Sequence, residues 1–96
     1  MAKKPLEWSK RADNDLVGII RFYAETASPQ VAAMARETIL KAAYRIENDP
    51  VIHRAGKRGT RECVLKKFPY IVIYRVESNG RKIVRVLHQA KEYFNP

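Results

Sequence analysis

His88, Tyr93, Arg61, Lys66, Lys67 and Arg85 are the residues of this chain best suited to move protons or hold a transition-state charge. Together they would serve one reaction, the metal-free cleavage of RNA. That reaction needs a base for the 2′-hydroxyl, an acid for the leaving oxygen and cations for the charge on phosphorus. The sequence points away from metal and cofactor chemistry. Its two histidines, His53 and His88, fall in different segments, and no carboxylate cluster accompanies them. No phosphate-cradling glycine loop and no nucleophile elbow occurs.

Spacing weakens even the cleavage reading. Asn79-Gly80 is a strong two-residue hairpin signal, and a turn there pairs Ser78 with Arg81. Arg75/Val84, Ile73/Val86 and Ile71/His88 then share one face, predicted to lie under the helices. Val76/Ile83, Tyr74/Arg85, Val72/Leu87 and Tyr70/Gln89 share the other, predicted to be half-solvated. In this register His88 sits near the Phe68-Pro69 turn. Arg61 and Arg75 lie toward the other end, about 13 Å away at four residues of strand rise. His88 then reads as a strand-terminal histidine with a satisfied hydrogen bond, and no catalytic residue is assigned. Glu62 is expected to pair with Arg85 near Tyr74, while Tyr70 and Tyr74 offer rings for stacking.

The elements that carry these residues follow from local signals. Leu6 to Trp8 reads as a short opening strand. Ser9 is a suitable N-cap for a helix from about Lys10 to Thr26. Ala12, Leu16, Ile19, Ile20, Tyr23, Ala24 and Ala27 recur there at helical spacing. Gly18 interrupts that helix and is expected to admit a second helix closely. Ser28-Pro29 starts the second helix, which runs to about Glu47 and stops at Asn48-Asp49-Pro50. Ala32, Ala35, Ile39, Ala42, Ala43 and Ile46 form its core stripe. Val31, Met34, Leu40 and Tyr44 spread apolar surface beyond it, either as extra core or as a groove for an amphipathic segment. Residues 51–58 read as a basic loop. The fold class is therefore α+β: an N-terminal strand, an antiparallel helix hairpin, then a three-stranded antiparallel meander.

Ninety-six residues make one domain with a modest core. No run approaches the ~18 apolar residues of a membrane span, and Met1 to Glu7 lacks the apolar region of a signal peptide. The single cysteine, Cys63, excludes an internal disulfide, suits a reducing cytoplasm and is expected to be buried filler. The net charge of +9 is unevenly placed. Residues 1–48 carry eight Lys/Arg against six Asp/Glu, and residues 49–96 carry eleven against four. That positive half attracts nucleic acid or an acidic protein segment. No recognition helix is present, so sequence-specific DNA binding by this chain is not expected.

The order of elements, with Gly59-Thr60-Arg61-Glu62, Pro69-Tyr70, Tyr74-Arg75-Val76 and Arg85-Val86-Leu87-His88, resembles the ParE branch of the ParE/RelE superfamily of bacterial toxins. Trp8, Asp15-Leu16, Tyr23, Pro29 and Pro50 extend the resemblance over nearly the whole chain. It implies a plasmid-stabilisation type toxin of a type II toxin–antitoxin system. Such a toxin poisons DNA gyrase and is held inactive by an antitoxin with a DNA-binding head and a disordered tail. The implied antitoxin surface is Leu16, Ile19, Ile20, Tyr23, Met34, Leu40 and Tyr44. The implied target surface is Arg58, Arg61, Lys66, Lys67, Tyr74 and Arg85. RelE-branch members instead cleave messenger RNA on the ribosome, which here would draw on His88, Tyr93 and Arg61. Those members commonly carry Arg where this chain has Ile71, and an apolar residue cannot stabilise phosphate charge. A third possibility is an inactive homologue kept as a binding module.

Overall fold

Ser9 begins the first helix and stitches it to the sheet. Its hydroxyl accepts from the Ala12 amide at 3.0 Å and donates to the Val84 carbonyl at 2.7 Å. Its own amide donates to the Ile83 carbonyl at 2.9 Å. One N-cap thus satisfies an orphan helix donor and fixes the helix beside a strand 74 residues later in the chain. The structure, a computed structural model, describes residues 6–49 and 53–92, with Lys91 and Glu92 as backbone only. Tyr93 and Pro50 lie outside the described residues.

The elements are β1 (Leu6–Trp8), α1 (Lys10–Thr26), α2 (Pro29–Asn48), β2 (Arg54–Ala55), a 3-10 turn (Lys57–Gly59), β3 (Arg61–Val64), β4 (Tyr70–Glu77), β5 (Gly80–His88) and α3 (Gln89–Glu92). Ser28 caps α2 by accepting from the Val31 amide, and Pro29 occupies the first turn as expected. Ala32, Ala35, Ala42 and Ala43 are all buried, which lets the two helices pack closely. At the other end of α2, the Arg81 guanidinium donates to the carbonyls of Ile46 and Asp49. A cation there meets the negative end of the helix dipole and satisfies otherwise unpaired carbonyls.

The predicted meander is present as β3, β4 and β5, but the sheet is larger. Its order is β1-β5-β4-β3-β2, with β1 parallel to β5 and the remaining neighbours antiparallel. β2 falls within the stretch read from sequence as loop, and pairs Arg54 with Glu62.

The hairpin register departs from expectation in two ways. Glu77 pairs with Gly80, so Ser78-Asn79 forms the loop and Gly80 opens β5 with φ 150°, a region favouring glycine. Between Ile73 and Tyr74 the partner jumps from Arg85 to Ile83, leaving Val84 as a bulge. The bulge moves Val86 opposite Val72 and turns Arg85 to the side of Ile73.

The choice of helix-facing side is also corrected. Tyr70, Val72, Tyr74, Ile83 and Val86 join Ala12, Ile19, Ile39 and Ile46 in the core. Ile71 and Ile73 alternate to the opposite face, yet are buried as well. Tyrosines win the helix side because each buries a large ring while its hydroxyl keeps a polar partner. Cys63 lies in this core as foreseen.

Gly18 does not admit α2. A methyl group at this position would meet nothing within 4 Å. Gly18→Ala is therefore expected to stabilise the fold by about 0.5–1 kcal/mol through helix propensity, read as a raised urea midpoint. A lowered midpoint would show that the glycine serves the fold.

Candidate functional site: a groove beside the helix pair

β1 covers β5 only from Arg81 to Ile83. Beyond that point the outer edge of β5 has no strand neighbour among the described residues, and α1 partly takes its place. Asp15 accepts from the Val86 amide at 2.9 Å and from Arg85 Nε at 2.8 Å and Nη2 at 3.1 Å. A groove of about 520 Å³ opens past this clamp. Asn14, Gly18, Phe22 and Tyr23 line its helical wall, and Leu87 and His88 its strand wall. The Val86 amide points outward to Asp15, so the Val86 carbonyl faces the same way, as peptide groups of one strand residue do.

Aromatic rings shape this groove. Tyr23 meets Phe22, Phe68 and Tyr70 edge to face, with centroids 5.1, 5.4 and 6.4 Å apart. Phe22 remains 52% exposed, a large apolar surface with no cover among the described residues. Burial first, then the neighbouring Tyr23, pushes the Tyr70 phenol up to about 12, so it stays neutral at physiological pH.

The expected antitoxin surface is only partly brought together. Ile19 and Tyr23 line this groove. Leu16 packs against the core, Ile20 and Leu40 are half-buried, and Met34 and Tyr44 are exposed on α2. Gly18 and Phe22 were missed as wall residues because they stand off the apolar stripe. An unpaired aromatic beside a mid-helix glycine was the available signal.

The expected target surface does not form one face. Tyr74 is 2% exposed in the core, so its assignment to an open stacking surface is corrected. Arg85 is held by Asp15 at the far edge. Arg61 is half-buried and donates to the His53 carbonyl at 3.3 Å. Arg58 is exposed in the 3-10 turn, where its φ is 57°. Lys66 and Lys67 are exposed together in the β3–β4 turn. These cations are spread between the two ends and one edge of the sheet.

Gly59-Thr60-Arg61-Glu62 knits the preceding loop onto β3. Thr60 Oγ1 donates to the Lys57 carbonyl at 2.6 Å, and Arg54 Nε meets the buried Glu62 carboxylate at 2.9 Å. A side chain on Gly56 would stand 2.6 Å from Thr60 Oγ1 and 2.8 Å from Glu62 Oε2, so glycine is needed for this close approach. The ion pair seen for Glu62 is thus with Arg54, eight residues earlier, and not the one expected from sequence.

His53 anchors the same loop. Its Nδ1 lies 2.6 Å from the Tyr74 hydroxyl, in a shared hydrogen bond. Burial first, then the charge of Arg81, lowers the His53 pKa, while Asp49 opposes them. The folded chain therefore holds fewer protons here than the unfolded chain below about pH 6.5. This contribution to stability is full above that pH and is lost as pH falls through it toward the folded value. His53→Gln should lose less stability than the parent between pH 7.5 and 5.5 in urea unfolding. Equal losses would mean that other groups carry the acid sensitivity.

No acid–base constellation for RNA cleavage is assembled among the described residues. His88 pairs with Tyr70 and Arg61 with Tyr74, which places them four residues apart along β4, about 13 Å. His88 Nδ1 accepts from the Ala90 amide at 3.0 Å, the satisfied terminal histidine that the sequence suggested. Among the described residues no group of His, Cys, Asp and Glu could hold a metal ion, and no helix is long and apolar enough to cross a membrane.

Helix hairpin, sheet and open lateral groove together define a small α+β domain of the ParE-like toxin fold. Residues 6–93 match the family model described as the ParE toxin of the type II toxin–antitoxin system parDE. The chain belongs to that family. It is 33% identical over 94 residues to Y4kP, a protein of Sinorhizobium fredii (strain NBRC 101917 / NGR234) that is named as a toxin. The alignment covers 97% of this chain and 96% of that protein. A chain of the chromosomal ParDE TA system from P. aeruginosa shares the fold, with a TM-score of 0.82 and 22% identity. That match spans 90% of this chain and 96% of the other.

Proposed function

We propose that this ParE-family chain poisons DNA gyrase in the cytoplasm and that a cognate antitoxin silences it by filling the groove between α1 and β5. The groove carries the neutralisation reading. It sets an exposed Phe22, an uncrowded Gly18 and a strand edge with no strand neighbour among the described residues side by side. A partner segment there would bury aromatic surface and satisfy outward-facing backbone groups. Membership of the ParE family supports a toxic role. The separation of His88 from Arg61, and the apolar Ile71, favour a binding poison over a nuclease. Contact with gyrase would use the exposed cations Arg58, Lys66 and Lys67, with Arg61 and Arg85 as supports of their strands. DNA recognition in the pair would belong to the antitoxin.

Induction in growing cells tests both halves. Gyrase-linked DNA breaks and filamentation are the expected result. Rapid transcript cleavage would move the protein to the ribonuclease reading, and harmless expression to an inactive homologue. Co-expression of the small neighbouring reading frame should restore growth. Phe22→Asp and Gly18→Arg should stay folded and toxic while losing that rescue. Full rescue of both variants would place the antitoxin elsewhere.

A further inference from the structure

Residues 53–61 read His-Arg-Ala-Gly-Lys-Arg-Gly-Thr-Arg, with no carboxylate and no large apolar side chain. They form β2, the 3-10 turn and the entry to β3, on the β2 side of the sheet. The segment is tied down along its length. His53 shares a hydrogen bond with the Tyr74 hydroxyl, and Arg61 donates to the His53 carbonyl. The Gly56 amide donates to the Thr60 carbonyl at 2.8 Å, and the Thr60 amide returns to the Lys57 carbonyl at 3.2 Å. Arg54 pairs with the buried Glu62. Two cations stand at the apex. Lys57 and Arg58 are exposed, and among the described residues neither side chain makes a hydrogen bond or ion pair. Arg58 also sits in the left-handed region, at φ 57° and ψ 41°, and no other described residue except glycine has a positive φ. Its Cβ makes that conformation strained, whereas Gly59 beside it takes φ 75° freely. The turn thus carries an arginine where glycine would fold more easily, and strain of this kind marks functional positions. Burial raises the Tyr74 pKa, opposed by its hydrogen bond with His53 and then by the charges of Arg81 and Arg61, so the field behind the apex is positive too.

We infer that this loop grips the phosphate backbone of duplex DNA, with Arg58 and Lys57 as the contacting cations. Phosphates are held by exposed cations on a chain that can approach closely, and Ala55, Gly56 and Gly59 keep bulk away from the apex. A docked acidic protein segment would call for apolar anchors as well as charge, and residues 53–61 supply none. A single strand would be held by stacking its bases. The one aromatic ring of the loop, His53, is already turned edge-on to Tyr74, with centroids 5.4 Å apart. The loop therefore suits a backbone whose bases stay stacked inside a duplex. Such a contact is blind to sequence, in keeping with a chain that has no recognition helix. Because the loop is held in place before binding, little ordering opposes the contact. The inference does not rest on gyrase being the target.

The test uses the full chain and fluorescence anisotropy. The probe is a fluorescein-labelled duplex of about 20 base pairs in two unrelated sequences, with labelled polyglutamate and the single strand as comparisons. Both duplexes should bind saturably and alike, and more weakly as salt rises. Arg58→Gly should weaken binding about fivefold and flatten the slope of log affinity against log salt by about one unit. The same variant should raise the urea midpoint, because the left-handed strain is gone. Arg58→Lys keeps the charge and should keep most of the slope. Lys57→Gln with Arg58→Gly should flatten the slope by about two units. Arg21→Gln with Arg36→Gln removes as much charge from exposed positions on α1 and α2 and should leave the slope unchanged. Any of four results would overturn the inference: no saturable duplex binding at low salt, equal flattening by the Arg21/Arg36 pair, a lowered urea midpoint in Arg58→Gly, or tighter binding of polyglutamate or the single strand that Arg58→Gly abolishes. No gyrase enters the assay, so a failure of the gyrase proposal would leave the inference untouched, and the reverse.

Discussion

Asp15→Ala is expected to lower folding stability by about 3 kcal/mol, a loss readable as a reduced urea midpoint. The carboxylate accepts from both nitrogens that Arg85 presents and from the Val86 amide. The Asp15 and Arg85 side chains are only 15% and 25% exposed, so water cannot replace the lost partner cheaply. Removing Asp15 leaves a guanidinium and an amide short of their acceptor at the edge of the sheet. Arg85→Met in the same chain should recover part of the loss, because the guanidinium that Asp15 had neutralised is then gone. The clamp also fixes the spacing of α1 from β5, and with it the width of the lateral groove. Rescue by the partner should therefore weaken in Asp15→Ala more than the stability change alone predicts. A loss below about 1 kcal/mol would show that the pair behaves as a surface ion pair.

Ile39→Ala should be at least as damaging, costing about 3–4 kcal/mol. Ile39 is 0% exposed in the middle of α2 and belongs to the main core cluster. Its helical neighbours Ala35, Ala42 and Ala43 are buried alanines. Alanine has no rotamer to shift, so the cavity stays largely open and the full penalty is felt. A domain of this size holds roughly 5–10 kcal/mol in all, so much of the margin would go. Ile39→Val should lose only about 1 kcal/mol. A saturating partner would restore part of the apparent stability by mass action, and the partner-bound variant should unfold at a higher temperature than the free one. If Ile39→Ala unfolds with the parent midpoint, the helix–sheet seam is not where the core energy lies.

Local signals are legible in the sequence. Ser9 and Ser28-Pro29 mark helix starts through contacts three residues away, and both helices begin where those residues place them. The burial of Cys63 and the terminal role of His88 were also readable, although Cys63 reaches the core beside Val72 and not on the side of Ile71. Glu62 shows the limit. Its partner Arg54 lies in a loop that becomes a strand only by pairing with β3, and nothing periodic announces a two-residue strand. Arg81 is similar, since its role at the end of α2 depends on a contact 35 residues away in sequence. The groove was visible only as surplus: apolar residues beyond one stripe.

Amino-acid order alone determined the helix pair, every described strand but β2, the excess of positive charge and the toxin family to which the chain belongs. Tertiary structure decided which side of β4 meets the helices and where β5 lies uncovered. The physical reason is that neither choice is local: alternation puts Tyr70, Val72 and Tyr74 on one side of β4, but that side is buried because of how their side chains pack beneath α1 and α2. The bulge at Val84 adds a second comparison of this kind, since it reverses the β5 side chains after it and so brings both Ile83 and Val86 to the same core.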